Sequence, residues 1–97
     1  MNCDVNNDVR DYMNNLTTAD KTTYNSRCAN VIGWNGKGPL TGWDSIKSGV
    51  YHSRLNGDLR LVGKRDGFTF TVLAIYKHGP KDKGKSKVVG ENVPEYG

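Results

Sequence analysis

The stretch GVYHSRLNGDLRLVGKRDGFTFTVLAIYKHG, residues 49–79, carries the clearest structural signal in the chain. Asn56-Gly57 and Asp66-Gly67 are the dipeptides that most favour two-residue hairpin turns. Both central positions of such turns need a positive φ, which Gly, Asn and Asp adopt at low cost. The runs between them have strand length and alternate with period two: Leu59, Leu61 and Gly63 against Arg60, Val62 and Lys64, then Phe68, Phe70, Val72 and Ala74 against Thr69, Thr71, Leu73 and Ile75. Three antiparallel strands are predicted. Near their ends sit His52, Arg54, Arg60, Tyr76, Lys77 and His78, a set of cations and proton carriers with no carboxylate among them. Such a set suits a polyanion.

Working outward, Val5, Val9, Tyr12, Met13 and Leu16 fall on one helical stripe, so a helix is expected over residues 5–15, with Asp4 as its N-cap. Thr17, three residues before Asp20, opens a second helix through Tyr24, Cys28, Ala29, Val31 and Ile32, which Gly33 closes as a left-handed cap. The pattern then breaks. WNGKGPLTGWDSIKS, residues 34–48, reads as a loop whose Trp34, Leu40 and Trp43 anchor it to the core; the alternative is that the tryptophans stack on bases. Its Gly-Lys-Gly is no P-loop, because Pro39 stands where Lys-Ser or Lys-Thr should run into a helix. Beyond His78 the composition turns to Gly, Lys and Pro. Residues 81–97 therefore read as a basic, flexible tail in which Lys81, Lys83, Lys85 and Lys87 could meet phosphates, and Val88, Val89 and Val93 could add a short edge strand.

A chain of 97 residues holds one domain, placed at residues 1–80, which buries roughly 60 to 68 per cent of its unfolded surface. The expected class is α+β, two N-terminal helices packed on a twisted antiparallel sheet. A net charge of +4 and a pI near 9.2 favour an acidic partner, RNA foremost. Cys3 and Cys28 lack metal spacing and read as free thiols of a cytoplasmic protein, with Cys28 a small buried thiol on the apolar side of its helix. No apolar run has the length of a membrane span. Neither a metal nor another cofactor is called for.

The hairpin segment resembles the RelE superfamily of small bacterial toxins, ribonucleases that cut messenger RNA, and within it the YoeB branch. The likeness rests on Gly49-Val50-Tyr51 followed by Arg54, then Arg60-Leu61-Val62, then an apolar strand ending in His78. Upstream, Gly36-Lys37-Gly38 before Pro39-Leu40, and the helix beginning near Asp20-Lys21, also match that branch. The resemblance implies two helices on a sheet with a basic cleft, Arg60 as the phosphate-stabilising arginine and His78 as the proton-transferring histidine. Three features depart from it. The branch's loop carboxylate falls on Thr41, with Asp44 the nearest acid; its final tyrosine is replaced by Gly79, leaving Tyr76 as the nearby phenol; and its N-terminal strand is missing or very short.

Metal-free RNA cleavage by 2′-hydroxyl attack needs a base, an acid and cations for the growing phosphate charge. Histidine titrates near neutrality and arginine forks onto phosphate oxygens. His78, Arg60, His52 and Tyr76 are the candidate catalytic set, with Arg54, Lys64, Lys77, Lys81, Lys83, Lys85 and Lys87 as RNA contacts. The expected activity is a RelE-type endoribonuclease acting on RNA, including ribosome-bound messenger RNA. Two alternatives stand beside it: a noncatalytic RNA- or ribosome-binding protein, and an interaction protein whose basic face meets an acidic protein such as an antitoxin. If both turns are regular two-residue hairpins, Arg60 faces Leu73 and lies on the opposite face from Tyr76 and His78. A bulge in the last strand near Tyr76 would bring them together.

Overall fold

The computed structural model describes residues 1–79 and 84–96. The fold is α+β, with two helices and a six-stranded mixed sheet: β1 (Asn2–Val5), α1 (Asn7–Met13), α2 (Thr18–Ile32), β2 (Asp44–Lys47), β3 (Val50–Arg54), β4 (Leu59–Asp66), β5 (Thr69–His78) and β6 (Lys85–Gly90). The main order is β1-β5-β4-β3-β2. Ten-residue β5 is long enough to hold two partners on one edge. β1 runs parallel to its first half, from Asn2↔Thr69 to Val5↔Val72, and β6 runs antiparallel to its second half, from Ala74↔Gly90 to His78↔Lys85.

The helices do not open the chain, and the sheet is not purely antiparallel, because a short strand comes first. Residues 2–5 alternate exposed and half-buried, a period of two that the helical stripe obscures by taking Val5 as its first member. Asn6, not Asp4, is the cap, accepting from Asp8 N–H at 2.9 Å and Val9 N–H at 3.2 Å. The stripe itself holds: Val9 and Met13 are buried, with Tyr12 and Leu16 packed against the same cluster. Thr17 caps α2 as expected, accepting from Asp20 N–H at 3.2 Å. Gly33 is not a left-handed cap; its φ is −79°, and the helix ends on a right-handed turn.

The stretch from Trp34 to Ser48 is not wholly a loop, since β2 forms inside it. Four residues of which one is half-buried are too few to show a period, and β2 exists through its pairing with β3. Trp34, Leu40 and Trp43 are buried anchors: Trp34 Nε1–H donates to the Lys37 carbonyl, and Trp43 Nε1–H to that of Arg27, both at 3.1 Å. The predicted edge strand through Val88 and Val89 is β6. The tail is therefore not loose over residues 84–96, because Val93 and Tyr96 are buried against the sheet. Lys81 and Lys83 lie outside the described residues.

Two details set which side chains share a face. The β3–β4 connection closes on Leu55 N–H to Leu59 C=O at 3.0 Å, so Asn56-Gly57-Asp58 make a three-residue loop and Arg54 faces Arg60 rather than Leu59. The β4–β5 turn is Gly67-Phe68, one residue later than expected, and Gly67 takes the positive φ, 61°. Beyond it the register shifts between Val62↔Ala74 and Gly63↔Val72, leaving Leu73 as an extra residue in β5. The three-residue loop and the extra Leu73 each turn β4 over relative to one neighbour, whereas the later turn shifts the register by two and leaves the faces unchanged. One face carries Tyr51, Leu61, Phe70 and Ile75 against the helices; the other carries Val50, Val62, Ala74 and Tyr76 under Val93 and Tyr96.

Candidate nucleic-acid interface

The face away from the helices gathers most of the cations singled out in the sequence. Arg54 pairs with Arg60, Arg60 with Tyr76 and Tyr76 with Lys87, so three cations and a tyrosine form one lateral row across β3, β4, β5 and β6. His78 and Lys85 pair in the neighbouring row on the same face. Strands lie about 4.8 Å apart, which sets Arg54 and Arg60 side by side. Like charges directly opposite each other destabilise a sheet, and an anion lying between them relieves that cost. Arg60 is steadied from below, Nη1 donating to the carbonyls of Gly57 at 3.2 Å and Leu59 at 3.1 Å. Arg54, His78, Lys85 and Lys87 are exposed.

Two of the predicted residues do other work. Tyr76 is 5% exposed and its hydroxyl accepts from Val93 N–H at 2.9 Å, so it clamps the C-terminal segment rather than reaching out as an acid. Lys64 donates to Glu95 Oε1 at 2.8 Å, an ion pair at the rim of the same segment. Lys77, paired with Leu59, projects exposed from the opposite face. The bulge that joins Arg60 to His78 is at Leu73, not at Tyr76.

No family model matches the chain, and no curated protein or solved structure matches it significantly.

His52 links this face to two residues that sequence reasoning passed over or left unplaced. Its Nδ1 shares a hydrogen bond with Tyr96 Oη at 3.1 Å, and Nε2 lies 3.9 Å from Asp44 Oδ2, Asp44 being its register partner on β2. Burial raises the pKa of Tyr96, so its hydroxyl keeps its proton. Tyr96 is held besides by Lys85, whose Nζ lies 4.2 Å over its ring and donates to its carbonyl at 3.2 Å. Nothing in the composition of the last residues marks Tyr96; only its burial does. Among the described residues, no three of His, Cys, Asp and Glu converge to hold a metal ion, and no helix is long and apolar enough to cross a membrane.

Burial holds the His52 pKa below its ordinary value, and Lys85, Arg60 and His78 add to the effect while Asp44 opposes it. The unfolded chain therefore binds a proton more readily at this site. The stabilisation is present above the unfolded value of about 6.5 and is lost as pH falls through the depressed folded value. Urea unfolding midpoints should drop between pH 7.5 and 5.5, and His52→Gln should flatten the drop. An equal drop in both proteins would assign the pH dependence to other groups.

A cleft of about 460 Å³ lies elsewhere, between the end of α2 and the Gly-Lys-Gly loop, with Asn30, Trp34 and Lys37 in its wall. The loop's Gly36 carbonyl accepts from Arg65 Nη1, and Arg65 also stacks over Trp34, which makes this loop a packed corner of the fold.

Proposed function

We propose that the protein is a metal-independent endoribonuclease of RelE type that grips single-stranded RNA on the Arg54–Arg60–Lys87 row. The supporting observation is that row, with His78 and Lys85 beside it on one face. Arg60 is suited to neutralise charge building on the phosphate, its Nη1 held by two carbonyls while Nε and Nη2 have no hydrogen-bond partner among the described residues. His78 is the exposed imidazole beside it and takes the proton role. His52, whose Nδ1 is engaged by the Tyr96 hydroxyl, positions Tyr96 instead. The residues behind the family resemblance, Gly49-Val50-Tyr51, Arg60-Leu61-Val62 and His78, fall at the start of β3, within β4 and at the end of β5. Asp44 also borders the face, through its pairing with His52.

Incubating a defined RNA, free and ribosome-bound, with the protein and EDTA should yield new ends carrying 2′,3′-cyclic phosphate. Intact RNA under both conditions would reject cleavage. A second reading, binding without cleavage, is favoured by the commitment of Tyr76 and His52 to holding the C-terminal segment. Both readings share one expectation. Arg54→Gln with Lys87→Gln should flatten the salt dependence of RNA binding by up to ~0.7 in slope per lost contact. An unchanged slope, measured by fluorescence anisotropy across a salt series, would remove the row from the interface, and capture of an acidic protein by the same face would then become the better account.

A further inference from the structure

The two cysteines stand outside everything assigned so far. The Met1 ammonium donates to the Ile32 carbonyl at 3.2 Å and to that of Trp34 at 3.4 Å, so the chain start is level with the end of α2. From Met1, two residues along the strand advance roughly 6.6 Å, and from Ile32, four residues back along α2 retreat about 6 Å. Those steps arrive at Cys3 and Cys28. Cys3 pairs with Phe70, a core residue beneath the helices, and packs against that same cluster, so its side chain is on the helix side. Both thiols are free and half-buried. Cys28 lies four residues after Tyr24 and three before Val31, on the stripe of α2 that packs into the same cluster, and neighbouring Cys3, Tyr24 and Arg10 lower its thiol to about 7 against the effect of burial, while Cys3 is pushed up. One sulfur is thus set up as the thiolate and the other as its proton-bearing neighbour.

We propose that Cys3 and Cys28 form a redox-active dithiol that closes to a disulfide between β1 and α2 when it meets a peroxide. The Cys28 thiolate attacks one oxygen of hydrogen peroxide, the O–O bond breaks, and the departing hydroxide takes a proton to become water. Cys28 is left as the sulfenic acid. The Cys3 sulfur gives up its proton and attacks the Cys28 sulfur; the S–S bond forms, the S–O bond breaks, and a second water leaves. Two thiols and one peroxide become one disulfide and two waters. A dithiol reduces the bridge again, as a transient disulfide in a reducing compartment requires.

The test treats the full chain with a small excess of hydrogen peroxide and follows intact mass and alkylation by iodoacetamide. The expected result is a loss of about 2 Da, no alkylatable thiol, a Cys3–Cys28 cross-link on peptide mapping, and full reversal by dithiothreitol. Cys3→Ser should stop at a sulfenic acid that dimedone traps, and Cys28→Ser should react at least tenfold more slowly than wild type. Two thiols still alkylatable under conditions that oxidise free glutathione would overturn the proposal. So would disulfides only between chains, or sulfinic acid without the internal bridge. The wild-type cross-link decides the matter even if a serine variant does not fold.

Discussion

Replacing His78 with Gln is expected to lower the RNA cleavage rate by ~10²- to 10⁴-fold while RNA affinity changes little. Gln keeps a hydrogen-bonding group of similar reach but cannot carry a proton at neutral pH. His78 is the imidazole on this face that is exposed, at the end of β5 beside Lys85, whereas His52 is half-buried with Nδ1 engaged by Tyr96. Arg60→Ala provides the complementary loss. Removing one donor to the developing phosphate charge costs ~3 kcal/mol of barrier, with the fold retained because Arg60 is a half-exposed residue of β4. Single-turnover cleavage of a defined oligonucleotide, with circular dichroism on each variant, measures both. A His78→Gln protein that cleaves at the wild-type rate would end the assignment of His78, and a folded Arg60→Ala protein that cleaves at the wild-type rate would do the same for Arg60. Loss of affinity in His78→Gln without any cleavage by wild type would leave a binder.

Tyr96→Ala should destabilise the fold by about 3–5 kcal/mol, the range for removing a buried aromatic ring. The ring is 2% exposed and stacks edge-on to Tyr76 at 5.0 Å and tilted to His52 at 5.3 Å, with the Lys85 ammonium above it. Tyr96→Phe separates packing from polarity. It keeps the ring and loses the bond to His52, at a cost of about 1 kcal/mol. Trp34 and Trp43 lie in the cluster on the other face, so their fluorescence reports global unfolding in urea rather than local release. A Tyr96→Ala protein within 1 kcal/mol of wild type would mean that residues 93–96 lie on the sheet without holding it together.

Much of the local structure was legible in the chain itself. Val9 and Met13 at helical spacing marked α1, Thr17 and Asp20 marked the start of α2, and the alternation from Val50 to His78 marked three strands with glycine-bearing turns. The cations destined for the sheet were legible too, as residue types near strand ends. Which of them share a face was not. Within a strand, period two relates neighbours by rule, but between strands the relation depends on loop length and on bulges, and a single extra residue reverses it. Here a three-residue loop at Asn56–Asp58 and the extra Leu73 both turn β4 over, bringing Arg60 beside Arg54, Tyr76 and His78. Long-range contacts accompany that arrangement: a Cβ at Gly63 would run into the Phe70 ring, and one at Gly90 into the Leu73 backbone. Likewise β1 and β6, with four and six residues, exist because β5 offers an edge ten residues long. Segments that short owe their conformation to the partner they pair with, and Tyr96 owes its place to the slot between Tyr76, His52 and Lys85 that only the assembled sheet provides.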